Sequence, residues 1–63
     1  MDEELKVNAI IIDLQSDKCM LWLDTSEGIV QDGEDFVGEG MEDRAVNAAV
    51  EMSQLWGVDL LWP

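Results

Sequence analysis

Apolar and polar positions change their period twice along this chain. Residues 5–14, "LKVNAIIIDL", are dense in β-branched side chains and read as a strand. "QSDK" at residues 15–18 reads as a turn. "CMLWLD" at residues 19–24 reads as a second strand, so the two are expected to form a hairpin. "TSEG" at residues 25–28 is a further turn. "IVQ" at residues 29–31 is short enough to leave a third strand open, and "DG" at Asp32–Gly33 ends it.

The period then lengthens. In "MEDRAVNAAVEMSQLW", residues 41–56, Ala45, Ala48, Ala49, Met52, Leu55 and Trp56 recur at spacings of three and four and share one helix face. Asp43, Asn47, Glu51 and Gln54 take the opposite face. Glu42 and Asp43 stand in the first turn, where the helix dipole favours negative charge. Gly57 stands where a left-handed cap belongs. Alternation returns in "VDLLWP": Val58, Leu60 and Trp62 point one way, Asp59 and Leu61 the other, as in a final strand. The pattern predicts one small α+β domain over residues 1–63. It would hold an antiparallel or mixed sheet of three to four strands, with one helix packed on one face, in the order ββ(β)αβ.

Both faces of the expected hairpin are apolar. Val7, Ala9 and Ile11 alternate with Ile10, Ile12 and Leu14 on the first strand, and Cys19, Leu21 and Leu23 with Met20 and Trp22 on the second. Either set could lie beneath the helix. A sheet covered on one side only should alternate apolar with polar, and one helix cannot cover both sides. The surplus, expected at Ile10, Ile12, Met20 and Trp22, calls for a homodimer or a partner chain. Trp56 and Trp62 are expected in the core. Trp22, whose face has no evident cover, is a candidate contact residue.

Charge sharpens this reading. Fifteen Asp and Glu stand against three Lys and Arg, for a net charge of −12, yet 48% of the chain is hydrophobic. Disordered acidic segments lack such apolar content, so the chain should fold and carry an acidic surface. Nucleic acid and anionic membranes should repel it, and basic protein surfaces should attract it. No apolar run approaches the roughly 20 residues of a membrane-spanning helix. The acidic "MDEELK" is unlike a signal or transit peptide. With a single thiol, Cys19, these features point to the cytoplasm.

Candidate chemistry is sparse. Residues 31–43, "QDGEDFVGEGMED", hold six carboxylates and no Lys or Arg, which invites a calcium loop. The EF-hand pattern wants oxygen ligands at its first, third and fifth positions and glycine at its sixth. Counted from Asp32, the fifth and sixth positions are Phe36 and Val37; counted from Asp24, they are Gly28 and Ile29. Neither register fits, so no metal and no cofactor is expected. There is no His for general base work. "GEG" at residues 38–40 is flanked by acids that would repel phosphate. Cys19, among apolar neighbours, should be buried and inert. An enzyme is not expected.

What remains is mimicry of nucleic-acid charge. Spread over roughly 4,000 Å², the net charge is about threefold sparser than on B-DNA, which carries roughly one charge per 100 Å² of its surface. Clustering would close the gap, and Asp24, Glu27, Asp32, Glu34, Asp35 and Glu39 are the candidate cluster. In size, acidity and want of cofactor motifs the whole chain is similar to the small inhibitors that phages direct against host proteins. Anti-CRISPR proteins and anti-restriction DNA mimics are the nearest classes, and no motif carries the likeness. The resemblance implies a host-cell cytoplasmic protein that binds no nucleic acid itself. Its acids would dock on the basic groove of a nucleic-acid-binding protein, and the patch around Met20 and Trp22 would add affinity. The rival is a self-associating accessory subunit that pairs through the apolar sheet face, with acids that serve only solubility.

Overall fold

A computed structural model describes residues 5–62. Four strands and one helix follow in the order β1 (Val7–Leu14), β2 (Cys19–Thr25), β3 (Gly28–Gln31), α1 (Met41–Trp56) and β4 (Asp59–Leu61). The sheet order is β3-β2-β1-β4. β2 pairs antiparallel with β1 and with β3, while β4 returns from α1 to lie parallel to β1. This is the expected α+β architecture, with the third strand formed and the sheet mixed.

The β1–β2 hairpin sets everything else. Leu14 stands opposite Cys19 across residues 15–18, so odd positions of β1 face even positions of β2. Ile10 opposes Leu23 and Ile12 opposes Leu21, and all four point at the helix. Ile10, Ile12, Cys19, Ala45 and Ala49 are fully buried there. Small residues at positions 45 and 49 let α1 approach the sheet closely. This corrects the expected outer surface: Ile10 and Ile12 belong to the core, and the neighbour of Met20 and Trp22 on the other face is Ile11. Val7 and Ala9 also part company. The register shifts between them, so Val7 opposes Thr25 on the helix side while Ala9 opposes Asp24 on the open side.

The turns explain the ends of these elements. Thr25, buried, accepts the Glu27 N–H through Oγ1 at 3.1 Å and donates to the Gly28 carbonyl, which closes the β2–β3 turn. Gly57 caps α1 at φ 68°, and the Ser53 carbonyl accepts its N–H at 2.8 Å. Val58 then leads straight into β4. The helix period, read alone, overextends the core at this end. Leu55 is 78% exposed, and Trp56 and Trp62 are about half exposed, because the sheet beneath stops short of them. The expectation that both tryptophans pack inside is therefore corrected.

Candidate protein interface

Residues paired across strands share a face, so the register lays out the uncovered side of the sheet row by row. One row crosses all four strands: Gln31, Trp22, Ile11, Leu61. The next row reads Ile29, Asp24, Ala9, Asp59. On the other side of the first row, Asp13 faces Met20. Trp22, Ile11 and Leu61 thus form an apolar band two strand spacings, about 10 Å, wide, bounded by Gln31 on β3 and with aspartates on both flanks. Ile11, Asp13, Trp22 and Ile29 help line an open pocket of about 400 Å³ on it.

Trp22 is held in place. Its indole Nε1 donates to Asp13 Oδ2 at 3.3 Å, and Gln15 Nε2 donates to the same oxygen at 3.2 Å. Gln15 also reaches the Met20 sulfur at 3.6 Å. These contacts tie the indole, the Asp13 carboxylate and the Gln15 amide to one another. An aromatic surface beside an anchored carboxylate suits a cationic side chain, through ring quadrupole and ion pair together.

The loop after β3 joins this face less directly. Phe36 makes an isolated antiparallel bridge to Cys19, with hydrogen bonds of 2.8 and 2.9 Å, and packs against the core. Its neighbour Asp35 lies on the open side. There it accepts from Gln31 Nε2 at 2.7 Å and pairs with Lys18 at 3.8 Å. Arg44, from the first turn of α1, donates to the carbonyls of Val37 and Glu39 at 2.6 and 3.2 Å and ties the loop to the helix. Lys18, distant in sequence, and Arg44, which directly follows the segment, thus both reach a stretch that carries no base of its own.

Of the residues singled out by sequence, Met20, Trp22 and Asp24 lie together on the open face. Asp32, Glu34, Asp35 and Glu39 lie at one end of β3, and Glu27 sits in the turn at its other end, about 16 Å away along the strand. Among the described residues no three acidic or thiol side chains converge in a way that would hold a metal ion. The cluster therefore forms an open edge rather than one dense patch, and −12 over 4323 Å² stays near one net charge per 360 Å². Ile11, Asp13, Asp59 and Leu61 were missed as candidates. The signal for the first two was present in the hairpin parity set by a four-residue turn.

Cys19 is fully buried under α1. Burial pushes its thiol pKa up, and the Glu42 and Asp13 carboxylates push it further, against a backbone hydrogen bond at Met20 that lowers it. The group is a packed apolar side chain rather than a nucleophile. Among the described residues no helix is long and apolar enough to cross a membrane. No family model matches the chain, and no similarity to a curated protein or to a solved structure was found.

Proposed function

We propose that this chain is a non-enzymatic protein-binding inhibitor of the phage type, which docks its open sheet face on the basic nucleic-acid groove of a target protein. The observation that carries the reading is the band of Trp22, Ile11 and Leu61, left uncovered and flanked by Asp13, Asp24 and Asp59. An uncovered apolar face invites association, and its flanking carboxylates choose a cationic occupant. The face itself offers only about 300 Å², less than half of what each partner gives to a standard interface of roughly 800 Å². The acids of residues 32–39 and Glu27 would meet the partner at the margin, where they steer approach more than they add affinity.

Charge also argues against two copies joined face to face. Their Asp13, Asp24 and Asp59 side chains would be pressed together in a drying interface.

The test measures association with a panel of purified DNA- and RNA-binding proteins, with duplex DNA as competitor. At least one member should bind in competition with DNA, and its association rate should fall as ionic strength rises. Trp22→Ala should weaken that binding tenfold or more, about 1.4 kcal/mol, with an unchanged circular dichroism spectrum. Absence of saturable binding to any member at about 50 mM salt, or binding indifferent to DNA, would defeat the proposal.

A further inference from the structure

β4 forms one border of the sheet, and among the described residues its outer edge carries no strand. Natural edge strands are usually blunted by lysine, proline or a bulge. The residues of β4, Asp59, Leu60 and Leu61, bring none of these, and the strand's only defences are its three-residue length and the charge of Asp59. The surroundings are apolar. Leu61 is 46% and Trp62 50% exposed, and Val50 of α1 is also exposed. Ser53 Oγ donates to the Val58 carbonyl at 2.7 Å, which sets the Val46, Val50 and Ser53 side of α1 beside this edge.

We propose that the outer edge of β4 pairs antiparallel with β4 of a second copy, which joins two four-stranded sheets into one about a two-fold axis. This surface adjoins the open-face site and shares Leu61 and Asp59 with it, but it does not depend on Trp22, which sits two strands inward, about 10 Å from β4.

Charge selects both the edge and the occupant. Asp24, Glu27, Asp32, Glu34, Asp35 and Glu39 all lie on β2, in the β2–β3 turn or in the loop after β3, whereas Asp59 is the one acid of β4. Pairing through β4 sends the acid-rich borders of both copies to the far ends of the joined sheet, several screening lengths apart. Pairing through β3 would instead bring Glu27 of one copy towards Asp32 of the other. A basic partner has little to hold at β4, where apolar side chains outnumber the single carboxylate.

Symmetry then fixes the register. A two-fold axis normal to the sheet keeps both helices on one side, so each residue must pair with one of its own parity. With Asp59 opposite Asp59, like charges would face each other, which destabilises a strand pair. With Leu60 on the axis, Asp59 opposes Leu61 and all three β4 residues are used. Trp62, half exposed directly after β4, adds roughly 100 Å² of aromatic surface per copy for the seam to cover.

Sedimentation equilibrium at two salt concentrations tests this. A monomer–dimer equilibrium is expected, and it should tighten as salt rises, because screening relieves the repulsion that remains. Leu61→Glu, at an exposed position, sets a second carboxylate opposite Asp59 of the other copy, so it should raise the dimer dissociation constant at least tenfold with the fold intact by circular dichroism, and Trp62→Ser should act in the same direction. Trp22→Ala should leave the constant unchanged. Amide exchange on the wild type should show concentration-dependent protection at Leu60 and Leu61, whatever the variants do. A monomer at every accessible concentration overturns the proposal. So does a dimer that survives Leu61→Glu but is lost in Trp22→Ala, or one without added protection in β4. Failure of the binding panel above would leave each of these readouts unaffected.

Discussion

Ile11 and Ile12 are chain neighbours of identical chemistry, and the fold assigns them opposite fates. Ile12 is sealed between Leu21 and the helix, while Ile11 sits in an open row beside Trp22. The two sides of the sheet are almost equally apolar in sequence. What distinguishes them is their companions. Beneath α1 the register brings together only apolar groups and one hydroxyl, that of Thr25, which finds its own partners in the turn. On the open side every strand except β3 adds an aspartate. Hydrophobicity alone does not mark a core: the buried side is the one where the strand pairing leaves no charge to desolvate.

The largest expected effect breaks this comparison at its centre. Ile12→Ala should cost about 2–5 kcal/mol, the loss of buried methyl groups plus the cavity they leave. A fold of this size holds only about 3–5 kcal/mol in reserve, so the variant should be largely unfolded at 25 °C. Ile11→Ala should cost roughly 1 kcal/mol, since water already reaches that site. Urea titration of the two variants gives the answer. Equal losses would mean that the open side is structurally as important as the covered one, and that its free apolar row needs another explanation.

This contrast was partly legible in the sequence. Elements and their order followed from period and turn residues: the helix spans residues 41–56 as its spacing implied, with Gly57 in its left-handed cap. The pairing of faces was also within reach. A turn of four residues between positions 14 and 19 makes the sum of paired positions odd, which places Ile11, not Ile10 or Ile12, beside Trp22. What no local pattern holds is the rest of the surface. The shift between Val7 and Ala9, the early end of the sheet under Trp56, and the reach of Lys18 to Asp35 all depend on segments that meet only after folding. The acidic segment looked free of bases for that reason.

A second measurement sharpens the comparison at adjacent residues of β2, where Cys19 faces the helix and Met20 faces outward. Peroxide should oxidise Met20 in the folded protein, while iodoacetamide should reach Cys19 only when the sheet opens. The thiol also links stability to pH. Its folded pKa lies above the usual 9.0, so the neutral form is favoured by folding. That contribution is complete below pH 9.0 and is lost as pH rises through the raised value. Wild-type stability should therefore fall more steeply above pH 9 than that of Cys19→Ala, in which the thiol is gone. Parallel curves for the two proteins would show that Cys19 is not sealed.

The smallest effect separates the two kinds of acid. Asp24→Asn and Glu34→Gln each remove one negative charge, the first from the open face and the second from the loop after β3. Neither should move stability by more than about 0.5 kcal/mol, as is usual for surface positions. Both should slow association with a basic partner by a similar small factor, because steering responds to the whole field and salt screens it over about 8–10 Å. Dissociation should tell them apart. A carboxylate that is desolvated against a cation holds the complex together, whereas a marginal one only guides it in. Asp24→Asn should thus speed dissociation severalfold, and Glu34→Gln should leave it unchanged. If Glu34→Gln speeds dissociation as much, the acidic loop is itself the contact surface and the band around Trp22 is not the centre of the interface.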